Sequence, residues 1–102
     1  MSPAGFGPLP RKEQLILELL VENGPMYGLE LVDRSAGALK RGTVYVTLGR
    51  MEAKGFVESS HEPLPAGGIG LPRRMYRPTA LGERMLGAWN AFTRQLAMEV
   101  KS

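Results

Sequence analysis

The residues with the clearest chemical potential in this chain are basic, and they fall into two short clusters. Residues 40–54 contain two lysines and two arginines against a single acid, and residues 73–77 contain three arginines and no acid. The clusters hold seven of the 13 basic residues in a 102-residue chain of net charge +3. If the fold brings them together, they form a surface suited to phosphate groups. If it does not, they are ordinary solvated charges.

Residues for other kinds of chemistry are scarce. The chain has no cysteine and one histidine, His61, so a zinc cluster of cysteine or histidine ligands cannot form within one chain. No serine–histidine–aspartate or cysteine–histidine set stands out, and no glycine-rich loop ends in the lysine that a nucleotide phosphate site requires. We therefore expect that the protein is not an enzyme and has no cofactor and no metal site.

Residues 43–54 are predicted to form a helix with two unlike faces. Val44, Leu48 and Met51 recur at i, i+4 and i+7, the spacing of a buried helical stripe. Thr43 can cap the first free amides of this helix. The opposite face is small, hydroxylated and basic, and its members are Thr43, Val46, Thr47, Gly49, Arg50, Ala53 and Lys54. Such a face could lie flush in a groove; its glycine marks either a close approach or a tolerated surface position.

The other elements follow from periodicity and from helix- and strand-breaking residues. Helices are predicted at 11–22, 27–35 and about 79–100, a very short strand at 39–41, and hairpin strands at 56–61 and 73–77 around a flexible loop at 63–72. This order predicts a mainly α protein with a small β-hairpin, a winged helix-turn-helix with an added C-terminal helix. The predicted divisions are a flexible N-terminal arm at 1–9, a DNA-binding domain at 10–78 and a C-terminal dimerisation helix at 79–102.

The last predicted helix is longer than a domain of this size can cover by itself. Its apolar residues recur at steps of three or four and include Met85, Trp89, Phe92 and Leu96. Packing against a second copy would bury this face, so we favour a homodimer over a helix folded back on its own core. Aromatic residues there either fill the dimer core or line a pocket for a small aromatic effector.

The sequence also bears on location. The N-terminal segment lacks the charged start and apolar core of a signal peptide, and no apolar run reaches the roughly 20 residues of a membrane-spanning helix. Together with the absence of cysteine, these features favour a cytoplasmic protein without a membrane partner.

Three motifs resemble the phenolic-acid-decarboxylase repressor (PadR) family of bacterial regulators. Residues 23–31, NGPMYGLEL, resemble the family's GPLHGYEL; residues 41–57 resemble its GTLYPALKRLEEEGLI; residues 73–82, RRMYRPTALG, resemble its RKYYRLTEAG. The likeness covers about residues 11–86 in the right order, and the middle motif is the most specific. Val46 stands where the family usually has proline, and Pro78 where it has leucine. The single C-terminal helix is similar to the short branch of the family.

The resemblance implies a transcriptional regulator, a repressor released by a small ligand, and it places Tyr45 at the family's DNA-contacting tyrosine. The helix at 43–54 would enter the major groove of double-stranded DNA, and a homodimer would read an inverted repeat. The full set of predicted DNA-binding residues is Tyr27, Lys40, Arg41, Thr43, Tyr45, Val46, Thr47, Arg50, Lys54, Arg73 and Arg74. The alternative is a winged-helix interaction module that uses the same surface for an acidic protein.

Overall fold

The computed structural model describes residues 8–62 and 73–101. Most of the predicted N-terminal arm and the whole predicted loop at 63–72 lie outside the described residues. Leu9, the last residue of the predicted arm, is buried and packs with the core.

Within the described residues the chain forms four helices and three short strands. In chain order these are α1 (Arg11–Asn23), β1 (Met26–Tyr27), α2 (Gly28–Arg34), α3 (Val44–Ala53), β2 (Val57–Glu62), β3 (Arg73–Pro78) and α4 (Ala80–Lys101). All four predicted helices are confirmed to within one residue at either end. The strands form one antiparallel sheet in the order β1-β3-β2, with β2 and β3 as the predicted hairpin. The fold is the predicted winged helix-turn-helix, mainly α with a small sheet.

The predicted short strand at residues 39–41 is wrong in position. The Leu39 side chain is buried and its amide donates to the Ser35 hydroxyl, 2.9 Å away. The Lys40 carbonyl accepts from the amide of Val44, 2.9 Å away, so the chain winds directly into α3. The third strand is instead β1, where Met26 pairs with Tyr76 of β3. Met26 and Tyr76 are 50 positions apart, and β1 is only two residues long. The sequence around β1 therefore contains no local pattern that would predict this strand.

The buried stripe predicted for α3 is confirmed, since Val44, Leu48 and Met51 are at most 1% exposed. They belong to one core cluster with apolar residues of α1, α2, α4 and the sheet. The largest fully buried side chains of this core are Ile16, Leu17, Leu20, Leu31, Leu39, Leu48, Met51, Val44 and Val57. This one continuous core therefore fixes the position and orientation of α3 in the domain.

The predicted cap of α3 is wrong in one respect. Thr43 is the N-cap residue, but its side chain makes no capping hydrogen bond. Its carbonyl instead accepts from the Thr47 amide at 3.1 Å and from the Thr47 hydroxyl at 3.3 Å. The Thr43 hydroxyl therefore plays no part in closing the helix.

The start of α4 crosses the chain just after α3 at very close range. A Cβ at Gly82 would lie 2.1 Å from the carbonyl oxygen of Phe56, so only glycine fits there. Thr79 fastens the same crossing: its hydroxyl donates to the Gly55 carbonyl and accepts from the Gly82 amide at 3.0 Å. This contact fixes α4 to the junction between α3 and β2.

Candidate nucleic-acid interface

The face of α3 opposite the buried stripe is open to solvent. Tyr45 is 49% exposed and Val46 55%. Gly49 and Arg50 are also exposed, and a Cβ at Gly49 would meet nothing within 4 Å. Thr47 lies half-buried beside them. The predicted face is therefore a real surface, low in relief and free of acids.

Tyr45 is held in place by the start of α2. A Cβ at Gly28 would lie 2.6 Å from Cε1 of Tyr45 and 2.8 Å from its hydroxyl oxygen, so the absence of a side chain at Gly28 makes room for the ring. Tyr45 is nevertheless half exposed, so part of its side chain remains accessible to a ligand. Gly28 is a supporting residue that side-chain chemistry alone could not single out.

The β2–β3 hairpin is the wing of this fold. Residues from α2, α3 and the wing strand β3 meet at a cleft of about 480 Å³. Its lining residues are Tyr27, Leu29, Glu30, Asp33, Tyr45, Arg73 and Arg74. The Arg73 guanidinium lies 5.1 Å from the centre of the Tyr27 ring, a cation–π contact that keeps this charge at the cleft. The fold thus places the wing arginines and Tyr45 around one opening. Tyr27, Tyr45, Arg73 and Arg74 are the predicted site residues that it brings together.

A series of hydrogen-bonded side chains connects the wing to α3. Arg74 donates to the Ser59 hydroxyl at 2.9 Å, and Ser59 donates to the Glu52 carboxylate at 2.7 Å. The second terminal nitrogen of Arg74 lies 2.7 Å from Nε2 of His61. Burial raises the pKa of the adjacent Tyr76, and the positive charge of nearby Arg74 partly opposes this rise. Tyr76 therefore stays neutral at physiological pH. Sequence reasoning missed this support because the link forms only when the hairpin folds against α3.

Lys54 is paired inside the domain. Its Nζ lies 3.0 and 2.9 Å from the two carboxylate oxygens of Glu13, a residue of α1 that is only 4% exposed. The same nitrogen lies 5.8 Å from the centre of the Phe56 ring. Lys54 therefore fastens the end of α3 to α1, although the sequence pattern placed it on the groove-facing side. The helical period predicts the face of α3 on which Lys54 lies, but it does not predict that the Glu13 carboxylate binds Lys54 there.

The remaining predicted cations are exposed. Lys40 and Arg41 lie in the turn that leads into α3, and Arg50 lies on the α3 face itself. Their positive charge borders the N-terminal end and the last turn of the helix. Such an arrangement can bind phosphate groups on both sides of a groove that α3 occupies.

The four residues predicted for a dimer interface divide into two pairs. Met85 and Trp89 are partly buried against the domain's own core, and the Trp89 indole donates to the Gln14 side chain at 3.1 Å. Phe92 and Leu96 are 49% and 48% exposed. The rings of Trp89 and Phe92 lie 5.8 Å apart. The proximal half of α4 thus packs on its own domain, and the following turns expose apolar side chains.

No group of three or more histidine, aspartate or glutamate side chains in the described ranges is placed to hold a metal ion. Within the same ranges, none of the helices combines the length and apolar character that crossing a membrane requires.

Comparison with a family model and with solved structures points to the same protein family. A family model described as the transcriptional regulator PadR-like family matches residues 16–88. Comparison with curated protein sequences finds no significant match. Among solved structures, the chain is similar to a PadR family transcriptional regulator from Eggerthella lenta, with 30% identity, a TM-score of 0.73 and coverage of 88% of this chain and 78% of that one.

Two further structures extend the likeness. A PadR family transcription regulator from Clostridium difficile shows 27% identity and a TM-score of 0.71, covering 87% of this chain and 93% of that one. Bacillus subtilis PadR, solved in complex with operator DNA, shows 19% identity and a TM-score of 0.71, covering 93% of this chain and 62% of that one. At that identity the likeness establishes a shared fold.

Proposed function

This chain belongs to the transcriptional regulator PadR-like family, and from that premise we propose that it binds double-stranded operator DNA as a homodimer and represses transcription. The observation that carries the proposal is the exposed, acid-free face of α3 beside a wing that presents Arg73 and Arg74. Acting on chromosomal DNA in a cell without a nucleus would place the protein in the cytoplasm.

In the proposed complex α3 lies in the major groove, which is wide enough for one helix. Thr43, Val46 and Thr47 then face base edges, because residues near the N-terminus of a recognition helix reach deepest. Tyr45 and Arg50 bind backbone phosphates, as do Lys40 and Arg41 in the preceding turn. Tyr27, Arg73 and Arg74 bind the phosphates nearest the cleft, or the adjacent minor groove. We leave Lys54 out of this surface because it is paired with Glu13.

The proposed homodimer rests on the apolar side chains exposed along α4. Phe92 and Leu96, four positions apart on one face of the helix, are 49% and 48% exposed, although a single domain of this size gains from covering such residues. A second copy packed against them would bury this surface and set two recognition helices about one DNA turn apart, the spacing of an inverted repeat.

Release by a small aromatic ligand is the part of the proposal that follows from the family likeness. The feature of the chain that bears on it is the contact between Trp89 and Phe92 at the junction of the packed and exposed parts of α4. A flat apolar molecule inserted there would alter the angle between the two α4 helices of the dimer. The competing role of these rings is to fill the dimer core.

The decisive experiment is selection of bound fragments from a random DNA pool, followed by footprinting of the enriched site. A specific regulator should enrich an inverted repeat and should lose affinity steeply as salt rises. It should also prefer that site over unrelated DNA by about 10³-fold or more. The alternative, an interaction module for an acidic protein, predicts no enriched sequence.

Replacing Gly49 with alanine tests the close approach of α3 to DNA. The new methyl group meets nothing within 4 Å in the free protein, so stability should rise by about 0.5–1 kcal/mol from helix propensity. On DNA the same methyl would separate helix and groove and lower affinity at least about fivefold. Thermal unfolding and fluorescence anisotropy measure the two effects. Gly87→Ala on α4 is the matched control, with the same gain in stability and no loss of affinity. Unchanged binding by the Gly49 variant would refute the flush contact.

Replacing Lys54 with methionine separates a structural cation from a DNA-binding one. The buried Glu13 loses its partner, and because Lys54 is 44% exposed we expect a cost of only about 1–2 kcal/mol in urea unfolding. The salt dependence of DNA binding should stay unchanged. Lys40→Met should behave in the opposite way, with unchanged stability and a slope smaller by about 0.9 for each protomer. A reduced slope for the Lys54 variant would return this residue to the interface.

A further inference from the structure

Val46 is the most exposed large apolar side chain of α3. It is the third residue of the helix, on the face opposite the buried stripe. Gly49 and Arg50, three and four positions later, lie one turn away on the same face. Because a Cβ at Gly49 would meet nothing within 4 Å, Val46 stands beside open space. Its isopropyl group is therefore an exposed apolar contact surface near the N-terminal end of the helix.

Few polar side chains near Val46 are able to identify a base. Residues 43–54 contain no asparagine or glutamine, the amides that form paired hydrogen bonds with adenine. The Thr47 hydroxyl donates to the Thr43 carbonyl at 3.3 Å, which uses its one proton inside the helix. The only acid of the segment, Glu52, already accepts from Ser59 at 2.7 Å. At this end of α3, Thr43 is exposed with a hydroxyl that makes no capping hydrogen bond, and Val46 offers apolar contact, so apolar contact is one of the two means by which this end can distinguish bases.

We propose that Val46 reads the 5-methyl group of a thymine in each half-site, an inference that rests on the proposed DNA-binding function and gives it a base preference. Among the four bases, only thymine presents a methyl group in the major groove. Cytosine at the same position would present an amino group, and the isopropyl group of Val46 cannot accept its hydrogen bond. The same position therefore selects thymine over cytosine.

The test substitutes deoxyuridine for each thymine of the selected operator in turn, which removes one methyl group and changes nothing else on the base. At one symmetric pair of positions, affinity should fall about fourfold per half-site, since a buried methyl group contributes about 0.8 kcal/mol. For the whole inverted repeat this is a loss of roughly fifteenfold. All other thymines should tolerate the change.

Protein variants assign the effect to Val46. Val46→Ala stays folded because the side chain is exposed, and the ratio of thymine to deoxyuridine affinity should fall toward unity. Val21→Ala is the matched control, since Val21 is a comparably exposed valine of α1, 48% against 55%, and should keep the full ratio.

The outcomes separate the two proposals. Specific DNA binding without any sensitivity to deoxyuridine overturns the role of Val46 and leaves the proposed function in place. The same holds if Val46→Ala keeps the full ratio, or if the selected site contains no thymine in the contacted half-sites. A failure to enrich any DNA sequence overturns the proposed function itself, and the thymine contact with it.

Discussion

Replacing Gly82 with alanine is expected to lower the free energy of unfolding by about 3 kcal/mol or more. The added Cβ would lie 2.1 Å from the carbonyl oxygen and 3.0 Å from the carbonyl carbon of Phe56. These are backbone atoms that cannot rotate away, so α4 must move off the α3–β2 junction. That movement would also strain the hydrogen bonds that Thr79 makes with Gly55 and Gly82.

Thermal unfolding followed by circular dichroism measures this effect at a fixed protein concentration. A loss of about 3 kcal/mol corresponds to a fall in Tm of at least about 12 °C for a domain of this size. Gly87→Ala is the control, because it adds the same methyl group to the same helix where nothing lies within 4 Å, and it should raise Tm slightly. Equal Tm values for the two variants would show that α4 does not cross Phe56 as described.

Replacing Tyr45 with alanine is expected to lower operator affinity about tenfold for each half-site, and about a hundredfold for the dimer. A hydrogen bond to a charged phosphate contributes about 1.5–3 kcal/mol. Arg50→Ala should cause a loss of similar size and also reduce the salt slope by about 0.9 per protomer, because it removes a charge. Tyr45→Ala should leave that slope unchanged.

Gly28→Ala gives an independent test of the same contact. The new methyl group occupies the position of the Tyr45 ring, which can swing into solvent because Tyr45 is half exposed. Affinity should fall toward that of Tyr45→Ala, and the double variant should show no additional loss. Additive losses would mean that Gly28 acts by another route.

Arg34→Ala is the charge control for these variants. Arg34 is an exposed arginine near the end of α2 that bonds to Asn23, outside the proposed surface. Its removal should leave both affinity and salt slope nearly unchanged. Fluorescence anisotropy over a range of salt concentrations measures all of these variants, and the dimer content of each should be checked by sedimentation. Full operator affinity in Tyr45→Ala would refute the placement of α3 in the groove.

The sequence by itself determined the four helices, the two hairpin strands and the buried side of α3. Val44, Leu48 and Met51 recur with the helical period, and burial follows because a period of 3.6 residues places them on one side of the helix. The hairpin and the last helix could also be predicted from the sequence, since glycine and proline mark their limits. The grouping of basic residues was also visible, because charge clusters are a property of the chain as written.

Only the tertiary structure decided which of those residues remain free to act. Lys54 and Glu13 are 41 positions apart, and Trp89 and Gln14 are 75 apart. Their pairing depends on how α1 docks against α3 and α4, which no local period encodes. The places where glycine alone fits, Gly28 under Tyr45 and Gly82 against Phe56, were fixed in the same way. Sequence periodicity says which side of an element turns inward, whereas the packing of distant elements decides what that side meets.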